Sequence, residues 1–242
     1  MTTASKWFKS WFNTPYYHLL YNKRDYKEAR FFMSNLVSYL KLKQEDSILD
    51  LACGKGRHAI FLNSLGFDVT GVDLSENSIN DALKSANDSL HFRVHDMRQP
   101  FIKKYNAIFN LFTSFGYFET DDEDINVLKN IKNGLKANGV AVIDYLNVLK
   151  SIKQLIPHEI QKRDTIDFEI KREVKNGFIN KEINFIDADN NFTFTEHVKC
   201  LDLITFKKYL KASGLKLIAV FGDYNLQDFD AKTSDRLILI VK

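Results

Sequence analysis

With 242 residues the chain has room for one large domain, or a domain with a modest cap, and 45% apolar residues are enough for a sizeable core. A net charge of +3, with lysines spread along the chain rather than blocked together, is too mild for a dedicated nucleic-acid surface. Two cysteines, no histidine nearby at zinc-ligand spacing and no window near the ~20 apolar residues of a bilayer span leave the expectation of a cytoplasmic protein with neither a disulfide framework nor a membrane segment.

Residues 5–22 are rich in Trp, Phe and Tyr and weakly patterned. Asp25 then opens a predicted helix, with Glu28 three residues on at capping-box spacing. Ala29, Phe32, Met33, Leu36 and Leu40 share one face of it. Residues 1–45 thus read as an N-terminal aromatic and helical cap on a body spanning 46–242.

From Ser47 to Val148, predicted strands at 47–51, 68–73, 90–95, 105–112 and 139–146 alternate with helices near 57–65, 75–87 and 122–137. That alternation is the signature of a doubly wound α/β sheet, mostly parallel. The third helix carries Leu128, Ile131 and Leu135 on one face and is expected to stop at Asn138-Gly139. After Gln161 the period changes to two, with Ile166, Phe168 and Ile170 alternating before the hairpin signal Asn176-Gly177. Ile183 and Phe185, then Phe192, Phe194 and Val198, continue it across a turn at Asp189-Asn190. A three-stranded antiparallel β insertion at about 163–200 is expected, with Thr193, Thr195 and His197 on its other face and Glu196 interrupting the apolar one. Helix 201–213 ends at Gly214, and strands 215–222 and 235–241 bring the main sheet to seven.

The segment 48–75 carries the chemistry. The strand SILDL delivers the chain into Ala52-Cys53-Gly54-Lys55-Gly56, whose small residues permit a tight turn and close backbone approach to a ligand. The helix that follows points its free N–H groups at the same place, beyond the carboxyl ends of the strands. Gly54, Gly56 and Ala59 fit a dinucleotide fingerprint with an acidic residue about 20 positions on, which would mean NAD. Asp50 weighs against it. A carboxylate at the strand tip repels a pyrophosphate and attracts an ammonium, and S-adenosylmethionine offers an ammonium, a sulfonium and no phosphate.

Residues 48–56, together with Asp73 and Asp96, resemble the class I S-adenosylmethionine-dependent methyltransferases, whose first motif runs acidic-x-G-x-G-x-G. Here it reads Asp50 to Gly56 with Ala52 in place of the first glycine. The resemblance implies a Rossmann-like seven-stranded sheet with a reversed last strand, matched by closing strands either side of 222–234. It implies that Asp50 orients the methionine end of S-adenosyl-L-methionine while Ala52, Cys53, Gly54 and Gly56 line the cofactor. Asp73 would hold the ribose hydroxyls, Leu74 and Ser75 would flank the adenine, and Asp96-Met97 would read its amino group. The N-terminal aromatic segment, the insertion and the ending SDRLILIVK resemble a small-molecule-type bacterial branch.

The stretch 111–119, LFTSFGYFE, falls where the family borders the transferred methyl. It lacks the Asn/Asp-Pro-Pro-Tyr/Phe turn of adenine-N6 and glutamine enzymes, and neither Cys53 nor Cys200 follows a proline as a cytosine-C5 nucleophile would. Phe112, Thr113, Ser114, Phe115 and Tyr117 then form a mostly apolar wall. Tyr17, Tyr21, Ser114, Tyr117, Tyr145 and His197 are candidates for the substrate side. As general bases, Tyr17, His18, Tyr21, Tyr145 and His197 have no diagnostic spacing, so no base is singled out. The expected function is methyl transfer by in-line displacement to a small molecule, by a monomer or homodimer. The alternatives are an RNA, in particular tRNA, methyltransferase and a non-catalytic cofactor-binding regulatory domain.

Overall fold

Strands with apolar residues on both faces need helices on both sides, and that requirement organises this chain. The computed structural model describes residues 7–21 and 26–242, so Asp25 and its expected capping box lie outside the described residues. The helices are α1 (Trp7–Trp11), α2 (Pro15–Leu20), α3 (Tyr26–Leu40), α4 (Arg57–Ser64), α5 (Glu76–Ala82), α6 (Asp121–Gly134), α7 (Val148–Lys153) and α8 (Leu203–Ser213). The strands are β1 (Ser47–Leu51), β2 (Asp68–Asp73), β3 (Leu90–Val94), β4 (Tyr105–Asn110), β5 (Leu135–Leu146), β6 (His158–Arg163), β7 (Ile166–Lys175), β8 (Phe178–Asp187), β9 (Asn190–Lys199), β10 (Leu217–Phe221) and β11 (Arg236–Val241).

The main sheet runs β10-β11-β5-β4-β1-β2-β3, parallel except for β11, which lies antiparallel to both β5 and β10. Strand order reverses between β1 and β4, the switch point beyond whose carboxyl ends ligands bind in such sheets. Every residue of β1 is buried. Ile48 packs in one cluster with Phe32, Leu62, Val69 and Phe109, while Leu49 and Leu51 pack in the other with Leu128, Ile131, Ile143 and Phe206. One side of the sheet is thus sealed by α3 and α4, the other by α6 and α8.

Two expectations are corrected. Helix α6 stops at Gly134, not at Asn138-Gly139, and Leu135 belongs to β5, where it pairs with Tyr105. A Cβ on Gly134 would lie 2.5 Å from the Phe101 ring, so the chain turns where glycine lets that ring close in. Residues 136–139 form the bulge before the ladder resumes at Ala107 and Val140. The insertion has four strands, in the order β6-β7-β8-β9. Strand β6, HEIQKR, has Ile160 as its one apolar residue, and that side chain is exposed; an edge strand needs no apolar face, so periodicity does not reveal it.

Glu196, the residue that interrupts the apolar face of β9, has an account in three dimensions. Its carboxylate accepts from Trp11 Nε1 at 2.7 Å and from the Tyr21 hydroxyl at 2.7 and 3.0 Å, with Lys181 Nζ 3.5 Å away on the paired strand. Tyr16 donates to Asp187 and Arg163 to the Leu20 carbonyl, so α1 and α2 are strapped to the insertion by polar contacts from opposite ends of the sequence. Glu196→Ala should cost about 1–3 kcal/mol through unpaired donors. Hydrogen exchange over residues 7–21 should rise with it, and unchanged protection there would exclude the strap role.

Candidate active site

The turn after β1 is built on left-handed backbone, with φ of 66° at Ala52, 56° at Gly54 and 81° at Gly56. The Ala52 and Cys53 N–H groups both donate to the Val72 carbonyl at the end of β2, which turns the loop across the sheet. Gly56 is tied to its place by packing as well: an added Cβ would lie 2.6 Å from the Phe92 ring.

Gly56 caps α4 without a side chain, and Asp50 takes over that role from the strand below. Its Oδ2 accepts from the Ala59 N–H at 3.1 Å, in the first turn of α4, and the residue is 1% exposed. Asp50 therefore sits beneath the loop and does not line the cavity. Burial pushes its carboxyl from 3.8 to about 7, with the Asp73 charge adding to the rise and the Ala59 N–H and Arg57 opposing it. A folded pKa above the unfolded one means that stability present at low pH is lost as pH rises through the folded value. The cofactor-free protein should accordingly lose thermal stability between about pH 4 and pH 7. Asp50→Asn should flatten the part of that slope near neutrality, and parallel melting curves for the two proteins would exclude the assignment.

Asp73 closes β2 facing the cavity. Its two oxygens accept from the backbone N–H groups of Gly54 and Ser75, each at 2.8 Å, so one carboxylate pins the glycine loop and the start of α5 together. Burial raises its pKa, against the pull of those N–H groups. At the next strand end, burial would also raise Asp96, but the Arg98 guanidinium, 2.7 Å away, holds it below the ordinary range. Arg98 in turn bonds Glu123 at 3.0 Å, linking this turn to α6.

These groups border a cavity of about 400 Å³, within the range of small-ligand sites. Ala52, Cys53, Gly54, Asp73, Leu74, Asp96, Met97 and Phe112 line it, and so do Tyr17, His18, Tyr21, Ser114 and Tyr117. Ser75 lies just outside, capping α5 through its hydroxyl, which also donates to Asn13 Oδ1 at 2.8 Å. Tyr145 and His197 are elsewhere. The Tyr145 hydroxyl donates to the Lys199 carbonyl in the core, and His197 pairs with Asn180 on the other face of the insertion.

The cavity also takes in residues the sequence did not single out: Phe8, Phe12 and Phe118 from the aromatic strap and the loop before α6, and Lys55, Arg57, His58 and His95. Arg57 and His58 open α4 directly behind the glycine loop, and that position is the signal for them. The His58 ring stacks on Phe112 at 4.9 Å, and the Arg57 guanidinium lies 4.9 Å from the Phe112 centroid.

A family described as methyltransferase domain matches residues 42–176, more than half of the chain. The chain belongs to this methyltransferase family. Its fold is that of the class I S-adenosylmethionine-dependent methyltransferases: the crystal structure of such an enzyme from Clostridium acetobutylicum ATCC 824 superposes with a TM-score of 0.80 over 94% of this chain and 95% of that one, at 21% identity. Among curated relatives, YqeM of Bacillus subtilis (strain 168), designated a methyltransferase, is 33% identical over 120 residues, 48% of each chain. The dTDP-3-amino-3,4,6-trideoxy-alpha-D-glucopyranose N,N-dimethyltransferase of Streptomyces venezuelae is 31% identical over 132 residues, 53% of this chain and 54% of that one. The chain spans about half the length of the curated relatives it first matches.

As a member of this family the chain fits the cofactor. The Asp73 carboxylate faces the cavity where a pair of ribose hydroxyls could donate to it. The backbone of Ala52 to Gly54 is open to close approach, with nothing within 4 Å of the position a Gly54 Cβ would take. Among the described residues no helix is long and apolar enough to cross a membrane.

Proposed function

We propose that this chain transfers a methyl group from S-adenosylmethionine to a small-molecule acceptor. The observation that carries the reading is the Asp73 carboxylate, set at the end of β2 beside the sheet's switch point, in a cavity lined by Phe8, Phe12, Tyr17 and Tyr21. In this assignment Asp73 holds the ribose, Leu74 and Asp96-Met97 border the adenine, and the Ala52–Gly54 backbone receives the methionine portion. Asp50 acts beneath them by holding the loop and the first turn of α4. Residues 7–21 serve as the cap over the cavity and the insertion as its support, while α3 belongs to the layer that covers the sheet.

When bound, the cofactor supplies an electrophilic methyl carbon on a sulfonium. The protein's part is to hold the acceptor in line with it and to keep water out. Phe112, Tyr117, Phe8 and Phe12 form the dry wall for that purpose. Of the titratable groups considered as a base, Tyr17, His18 and Tyr21 border the cavity and are the ones placed to take a proton from an amine or hydroxyl. Tyr145 and His197 have no such access.

A cavity of about 400 Å³ under an aromatic roof favours a metabolite over an RNA strand. The free thiols of Cys53 and Cys200 support a reducing, cytoplasmic setting, with the protein acting as a monomer or homodimer. Incubation with methyl-labelled cofactor and a cell extract fractionated by size tests the reading. Label is expected in the low-mass fraction. Label confined to RNA or protein, or none despite cofactor binding, would count against it.

A further inference from the structure

Beyond β4 the chain does something costly. Phe112 and Thr113 stand next to each other with φ of 56° and 61°, a left-handed conformation that bulky and β-branched residues avoid. Such a turn persists only where its surroundings over-determine it, and here they do. The Phe112 N–H donates to Asp144 Oδ2 at 2.7 Å, and the Thr113 N–H donates to the Asp144 carbonyl at 3.0 Å. Arg236 donates through Nε to Asp144 Oδ1 at 2.7 Å and through its terminal nitrogen to Thr113 Oγ1 at 2.9 Å. Asp144 is wholly buried on β5, Arg236 opens the neighbouring strand β11, and the Tyr224 hydroxyl lies 3.4 Å from the same carboxylate. None of Asp144, Arg236 or Thr113 lines the cavity; Phe112 does.

We propose that Asp144 and Arg236 are positioning residues that hold the Phe112–Thr113 turn left-handed, so that the Phe112 ring keeps Arg57 and His58 in place at the methionine end of the cofactor cavity. The inference rests on the cofactor assignment made above. The chain of contact is short: the clamp holds the turn, the turn aims Phe112, and Phe112 carries the His58 ring and the Arg57 guanidinium against its own. A buried ion pair that only joined β5 to β11 would have no reason to spend two of its hydrogen bonds on the strained turn.

The test uses S-adenosylhomocysteine as the probe, with affinity read by calorimetry and thermal midpoint measured alongside. Arg236→Gln breaks the clamp and should weaken the probe about tenfold, because the binding-competent turn becomes a minor population. Arg236→Gln with Thr113→Gly should recover most of that affinity, since glycine adopts a positive φ without help, while the lowered thermal midpoint remains. Arg236→Lys keeps the charge but not the fork that reaches both partners. It should fall between, and it answers the question if the glutamine variant does not fold. A lowered midpoint with unchanged affinity in Arg236→Gln or Arg236→Lys overturns the proposal, as does a failure of glycine to rescue. Failure of the unaltered protein to bind the probe would instead overturn the cofactor assignment.

Discussion

Asp73→Ala is expected to weaken S-adenosylmethionine binding by roughly ten- to a hundredfold, the equivalent of about 1.5–3 kcal/mol for charge-assisted hydrogen bonds. Two losses act together. The ribose hydroxyls lose their acceptor, and the N–H groups of Gly54 and Ser75, now bonded to the two carboxylate oxygens, lose theirs. The loop and the start of α5 then come apart in the free protein, and binding has to reorder them. Asp73→Asn sharpens the test, because an amide accepts through one oxygen only and turns its NH₂ toward one of those two donors. It should therefore bind no better than about tenfold below the unaltered protein. Calorimetry on both variants checks this, and unchanged affinity in either removes Asp73 from the ribose.

Lys199→Met is expected to destabilise the fold by about 3–5 kcal/mol, a large share of the about 5–15 kcal/mol that holds a domain together. Lys199 Nζ lies 2.7 Å from Asp124 Oδ2 and 3.1 Å from Asp121 Oδ1, and the Asp124 side chain is fully buried. Without the ammonium, a buried carboxylate is left without its counter-charge. Burial has already pushed Asp124 to about 6 with Lys199 in place, so it is ionised at neutral pH in the native protein. In the variant its pKa must rise further. A raised carboxyl favours the folded state at low pH, so the penalty should be greatest near about pH 8 and shrink on acidification as Asp124 takes up a proton. Urea unfolding at about pH 5 and about pH 8, either side of the Asp124 value, measures it, and a penalty that is small or independent of pH would contradict this account. Lys199→Met with Asp124→Leu should recover much of the loss, since two apolar side chains can replace a buried pair.

The position of Lys199 gives that prediction a functional edge. Its N–H donates to the Gly116 carbonyl and its own carbonyl accepts from the Tyr145 hydroxyl, which joins the end of β9 to the wall of the cavity. Tyr145 thus matters for the site from a distance, although it never reaches the ligand space. Loosening this joint should also lower cofactor affinity.

What the sequence made legible is local. Strands β1 and β2 lie at the expected residues because alternation, turn chemistry and burial agree over a few positions. The glycine loop and Asp73 follow from the same short segment. What it concealed is either an edge or a long-range contact. Strand β6 offers one apolar residue, and the α6–β5 boundary depends on Phe101 packing against Gly134. Glu196 looks misplaced on an apolar face until Trp11 and Tyr21, far away in the chain, supply its donors. Asp50 is the instructive case. Its charge suggested a ligand, but strand alternation puts it on the Ile48 side, under α4, where its first task is to cap that helix.

The central claim is that the crevice beyond β1 and β2 takes S-adenosylmethionine rather than a dinucleotide. One calorimetric series tests it most directly, with S-adenosylmethionine, S-adenosylhomocysteine and NADH titrated in turn into the unaltered protein. The expected result is saturable binding of the first two in the micromolar range, in competition with each other, and no binding of NADH. Binding of NADH, or no binding of S-adenosylmethionine below millimolar concentration, would contradict it.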